Sequence, residues 1–199
     1  NLDGSERQTV LAGTGKEADT DTVLLASRDW KYLALKSHRD GKLPKLYMIE
    51  TAKDKVITMD EGDATFTMVG WQDGNFVYTV NRNNIQYWQS KASSLKSYNA
   101  QTGKLTVLDS TNATGTSTYD AQYETYSSNV FSFGGNIIYA KTWYSGVGYN
   151  GASAQQNSLN SIKPDGSSKK AISKLDASKS YFGSVYQYEP QALIVQVTS

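Results

Sequence analysis

With 199 residues the chain is long enough for one domain, or two small ones, around a sizeable core. Twenty lysines and arginines against 19 acids leave a formal charge of +1, which gives no electrostatic footprint for nucleic acid or an anionic membrane. The lack of cysteine excludes disulfides, thiolate metal sites and cysteine nucleophiles, and the single histidine, His38, excludes a His-rich metal site.

No run approaches the roughly 18–20 apolar residues of a membrane helix, and no signal peptide opens the chain, so no membrane insertion is expected within it. The strongest bias is aromatic: 14 Tyr, 4 Trp and 5 Phe among many Asn, Ser, Thr and Gly. Tyr, Thr and Trp favour strands, whereas Asn, Asp and Gly favour turns. No window carries apolar residues at helical spacing. An all-β chain is expected.

In chain order, the strand-like runs form hairpins of two alternating kinds. Residues 1–5 and 8–12 make the tail of a first unit. Runs 22–27 and 30–36 flank the turn Arg28-Asp29, and 46–50 and 55–59 flank Lys53-Asp54. The next unit pairs 66–71 with 75–80 around Asp73-Gly74, then 94–98 with 104–108 around Thr102-Gly103. The third pairs 129–133 with 136–142 around Gly134-Gly135, then 158–162 with 169–172 around Asp165-Gly166. A last hairpin joins 184–188 to 191–197.

Corresponding positions at Lys31, Asn75, Asn136 and Gln191 recur after 44, 61 and 55 residues, and the shortest interval matches the roughly 40–50 residues of a four-stranded propeller blade. A β-propeller of four-stranded antiparallel blades is therefore expected, with three full blades and two half blades. The boundaries are a half blade at 1–13, blades at 21–60, 65–110 and 128–175, and a half blade at 183–198. These belong to a single propeller domain or to a propeller fragment: either the terminal halves close a ring of four blades, or the chain is part of a larger propeller. The faces Val23, Leu25, Leu33, Leu35, Phe76, Tyr78, Ile137 and Tyr139 alternate with neighbours expected to be polar and form the candidate core.

The first full unit carries a resemblance. Ser27-Arg28-Asp29-Trp30-Lys31-Tyr32-Leu33-Ala34-Leu35-Lys36-Ser37-His38-Arg39-Asp40-Gly41, followed by Leu46-Tyr47-Met48-Ile49-Glu50, resembles the WD40-like β-propeller repeat of the TolB type. In that repeat a proline and a glycine occupy the turn positions held here by Arg28 and Trp30. The resemblance implies a propeller fold and an exported bacterial protein, extracellular or in the cell envelope. It implies no activity, because propellers host many unrelated functions.

Several motifs point to chemistry without carrying it. Gly146-Val147-Gly148-Tyr149-Asn150-Gly151 matches the dinucleotide fingerprint, whose mechanism needs a helix behind the glycines; a polar stretch and a strand follow, so a glycine-rich loop is expected. The acids Glu17, Asp19 and Asp21, and Asp60, Glu61 and Asp63, lack the spacing of a calcium loop. His38 lies in the repeat's own Arg-Asp-Gly turn, and no nucleophile elbow accompanies it. No catalytic residue, metal ligand or cofactor is assigned.

The informative departures are the insertions. Residues 109–128 carry Tyr119, Tyr123 and Tyr126, residues 143–157 carry Trp143, Tyr144 and Tyr149, and residues 81–91 carry Tyr87 and Trp88. In a propeller these connections share one face, and Tyr and Trp among Ser, Gly and Asn make a recognition surface of rigid rings with polar handles. These eight aromatics are expected to cluster in loops and to bind a protein or glycan. The chain is thus expected to be a non-enzymatic binding or scaffold module. The alternative is the accessory propeller of a larger, prolyl-oligopeptidase-like hydrolase whose catalytic domain lies elsewhere.

Overall fold

The structure is a computed structural model that describes residues 5, 9, 11–13, 22–39, 41–86, 88–115, 120–145, 153–189 and 192–198, without the side chains of 127–129, 183–185 and 187–188. The chain is all-β, built from four-stranded antiparallel meanders of the propeller-blade kind. It divides into two compact units, residues 1–66 and 67–199.

The first unit holds one such meander, in the order β1 (Val23–Ala26), β2 (Tyr32–Ser37), β3 (Lys45–Glu50) and β4 (Lys55–Glu61). Leu46, Met48 and Ile49 on β3 are buried, as is Ala34 on β2. Leu25, Leu33 and Leu35 are half-buried, and Val23 is 38% exposed, against expectation, because β1 is an outer strand whose far edge has no partner strand in this sheet. The turn between β1 and β2 is ordered by Ser27, whose hydroxyl donates to Asp29 Oδ1 (2.8 Å) and accepts from the Tyr32 amide (3.0 Å). Trp30, in this turn, has a φ of 60° with its ring in solvent.

The second unit contains two larger sheets and a hairpin. β5 (Ala64–Gln72), which lies in this unit from Thr67 on, is followed by β6 (Asn75–Arg82), β7 (Ser93–Asn99) and β8 (Leu105–Ser110) in sequential order. Next comes a five-stranded sheet of β9 (Ala113–Thr114), β10 (Gln122–Phe133), β11 (Asn136–Ser145), β12 (Ser153–Ile162) and β13 (Lys170–Asp176). β14 (Tyr181–Glu189) and β15 (Ala192–Thr198) pair as a two-stranded sheet. The tight turns are as expected: Asp73 and Gly74, at φ 48° and 74°, and Gly134 and Gly135, at φ 56° and 74°, give the double positive φ that matches strand twist in two-residue hairpins.

Burial corrects the simple alternation. Phe76, Tyr78, Ile137 and Tyr139 are wholly buried as expected, but so is Val77, while Ile138 and Ala140 are nearly so. Central strands such as β6 and β11 are covered on both faces, so they read as continuous apolar runs. One face of β11 joins Ile137 and Tyr139 to Val77, Leu95, Leu108 and Ile162. The other packs Ile138, Ala140 and Leu159 against Phe131, Phe133, Phe182, Leu193 and Val195.

The insertions are also corrected. Much of 109–128 and 143–157 is strand, because β10 starts at Gln122, β11 runs on to Ser145 and β12 begins at Ser153. The runs 122–126 and 142–145 are rich in Tyr, Trp and Thr, and pairing them satisfies their backbone groups while stacking their side chains. β10 absorbs the resulting length with an irregularity between Tyr126 and Val130.

Candidate functional site

The paired strands β10 and β11 carry four of the eight nominated aromatics, and their register sorts these onto two faces. Tyr123 lies opposite Tyr144, Glu124 opposite Trp143, Thr125 opposite Thr142, and Tyr126 opposite Lys141. Because side chains alternate, Tyr123 and Tyr144 share one face, while Glu124, Tyr126, Lys141 and Trp143 share the other. The Tyr123 and Tyr144 rings stack at 4.8 Å and 10°, with Tyr123 buried and Tyr144 half-buried. Tyr126 packs on the core and meets Tyr139 edge-on at 6.0 Å. Trp143 and Trp88 are half-buried, the latter in the connection between β6 and β7. The described aromatics of β10 and β11 are thus strand residues rather than loop residues. Tyr87, Tyr119 and Tyr149 lie outside the described residues, as does the glycine-rich 146–151 run.

Next to Tyr126 lies a charged cluster that the sequence reading missed. The Lys141 ammonium is buried, 2.6 Å from Glu124 Oε2 and 3.2 Å from Asp109 Oδ2, and it donates to the Ser110 carbonyl at 3.1 Å. Asp109 is buried on β8. Its Oδ2 faces the ammonium as an ion pair rather than an aligned hydrogen bond, while its Oδ1 accepts from Lys169 Nζ at 2.7 Å and from the Ser110 amide at 2.9 Å. Glu124 Oε2 also accepts from the backbone and side-chain amides of Asn112, both at 2.9 Å. Two cations thus meet two anions, and every carboxylate is multiply hydrogen-bonded, which a buried ion pair requires. The one signal available in sequence was a lysine inside the apolar run 137–142.

The electrostatics follow. Burial would raise the Asp109 carboxyl, but the Lys169 hydrogen bond and the charge of Lys141 outweigh it and hold the group below the usual carboxylate range. The Tyr126 and Tyr139 hydroxyls are pushed far up, first by burial and then by the negative charge of Asp109, so both stay protonated.

Tyr126 also lines a cleft of about 490 Å³. β5 contributes Thr67, Met68 and Val69, β6 contributes Thr79 and Asn81, and β10 contributes Tyr126 and Val130. Hydroxyls and an amide sit among apolar surface, and none of these lining side chains is charged. Its size and character fit a small-ligand site. A second cleft, of about 580 Å³, belongs to the first unit and is basic: Arg39, Lys42 and Lys45 line it with Glu61, which pairs with Lys45 at 3.0 Å. His38 precedes this cleft's Arg39, whose guanidinium donates to the Ala12 carbonyl at 3.1 Å. Asp60, Glu61 and Asp63 lie at the end of β4 and just beyond it, and no metal-holding group of three acids or histidines occurs among the described residues. Glu17, Asp19 and Asp21 fall outside them.

No protein-family model matches the sequence, and no curated protein matches it. Among solved structures, the chain is similar to a prolyl endopeptidase studied for inter-domain dynamics in catalysis and specificity (11% identity, TM-score 0.43, covering 98% of this chain and 33% of that one). It is also similar to an oligogalacturonate lyase in complex with manganese (13%, 0.31, 84% and 56%) and to a puromycin hydrolase (10%, 0.34, 87% and 32%). The chain spans about a third to just over half of the length of these proteins.

Proposed function

We propose that this chain is a non-enzymatic recognition module of the propeller type, exported by a bacterium, that receives a neutral group of a glycan or protein ligand in the cleft beside Tyr126. The observation that carries this reading is the cleft itself: about 490 Å³, uncharged in its lining, with an aromatic ring at one wall and Thr and Asn side chains at the others. An aromatic surface with a few polar groups suits the apolar face and hydroxyls of a sugar, or an uncharged side chain of a protein loop. The half-buried Trp143, on the same sheet face as Tyr126, supports an extended aromatic contact. Export is what the repeat resemblance of the first unit implies.

Titration of the full chain with neutral and with acidic oligosaccharides, followed by chemical shifts, tests this. Neutral sugars should move the resonances of Thr67, Thr79, Asn81 and Tyr126, and Asn81→Leu should abolish the effect. Binding by acidic sugars alone, or shifts confined to other parts of the chain, would overturn it.

A further inference from the structure

Tyr126 has two neighbourhoods. It lines the neutral cleft, and the Lys141 ammonium stands 5.5 Å from its ring centroid. Lys141 is buried and is not among the residues lining the cleft. Two carboxylates and a backbone carbonyl hold it there, on strands β8 and β10, which leaves the ammonium little freedom to leave.

A cation over an aromatic ring draws on the same electron density that would attract a second cation to that ring, and the two like charges repel. From this geometry we infer that Lys141 is a specificity-determining positioning residue: it makes the Tyr126 wall of the cleft reject cationic groups and accept neutral ones. This rests on the cleft being the recognition site. The surrounding charges agree with it. Lys141 and Lys169 balance Asp109 and Glu124, so the cluster adds no net negative field that would draw cations in. The Tyr126 hydroxyl, buried and kept protonated, adds none either.

The chemistry separates charge from shape when the probes are choline and its neutral isostere 3,3-dimethylbutan-1-ol, titrated into the full chain with Tyr126 and Thr79 resonances as the readout. The wild-type chain should bind the neutral alcohol in preference to choline. Lys141→Met uncovers the ring and leaves Lys169, paired with Asp109, as the remaining cation beside two carboxylates, so the preference should swing toward choline by roughly tenfold. Glu124→Gln, which keeps the side chain's shape and leaves cation in excess, should instead sharpen the rejection of choline. A choline-to-alcohol ratio unchanged in both variants would overturn the role of Lys141 while the cleft still binds. If neither probe moves these resonances in any of the three proteins, the cleft reading falls and this inference with it. Should Lys141→Met fail to fold, the sign of the Glu124→Gln change alone decides the matter.

Discussion

Asp109 on β8 and Lys141 on β11 face each other at 3.2 Å with both side chains almost wholly buried, so a charge pair ties two sheets of the second unit together through its interior. Removing one member of such a pair leaves the other in low dielectric with fewer partners. Asp109→Ala frees Lys169, while the buried Lys141 ammonium keeps only Glu124 and the Ser110 carbonyl. A loss of about 3 kcal/mol in unfolding free energy is expected from denaturant titration. Lys169→Ala, which removes a half-exposed partner, should cost well under half as much.

The same cluster sets the pH limits of stability. Asp109 titrates lower in the folded chain than in the unfolded one, so its contribution is complete above about pH 4 and is lost as pH falls through the depressed folded value. Tyr126 and Tyr139 titrate higher when folded, so their contribution is complete below about pH 10 and declines as pH rises beyond it. Urea midpoints measured across pH should fall at both ends. Asp109→Asn should flatten the acid limb and Tyr139→Phe the alkaline one.

In the first unit, Trp30 holds a left-handed backbone conformation, φ 60°, that a bulky side chain adopts only with strain. Its ring is 71% exposed, so little packing is lost when it is removed. The turn's hydrogen bonds run through the Trp30 backbone and through Ser27, and glycine keeps all of them. Trp30→Gly should therefore stabilise the chain, by roughly 0.5–1 kcal/mol after the added freedom of the unfolded glycine is subtracted. A thermal melt checks it, and a lowered midpoint would show that the ring makes a contact worth more than the strain.

Tyr144 and Trp143 are neighbours in sequence with opposite duties. Tyr144→Ala removes a stacked ring from buried Tyr123, worth about 1 kcal/mol beyond the lost area, and should lower the melting temperature without altering ligand binding at the cleft. Trp143→Ala, on the Tyr126 face, should weaken binding by about 2 kcal/mol while the fold survives. Intact binding with lost stability in Trp143→Ala would remove that ring from the recognition surface.

Local chemistry made much of the architecture legible. Asp73-Gly74 and Gly134-Gly135 are the residues that two-residue hairpins need, and the runs around them are strand formers, so the meanders could be read directly. The extent of β10 and β11 was less legible, because polar-aromatic stretches such as 122–126 suit a loop or a strand equally until a partner strand is present.

By itself the sequence determined an all-β chain of repeated four-stranded meanders, since turn residues and strand propensity act over a few neighbours. Only the tertiary structure decided which aromatics meet. A shift of one residue in register would exchange the two faces of β10, and register depends on what each face buries rather than on the strand's own residues. The charged cluster is of the same kind: Asp109 and Lys169 stand 60 residues apart, and nothing local in either segment marks them as partners. Their pairing exists because the folded sheets bring both charges to one buried place, where each is costly without the other.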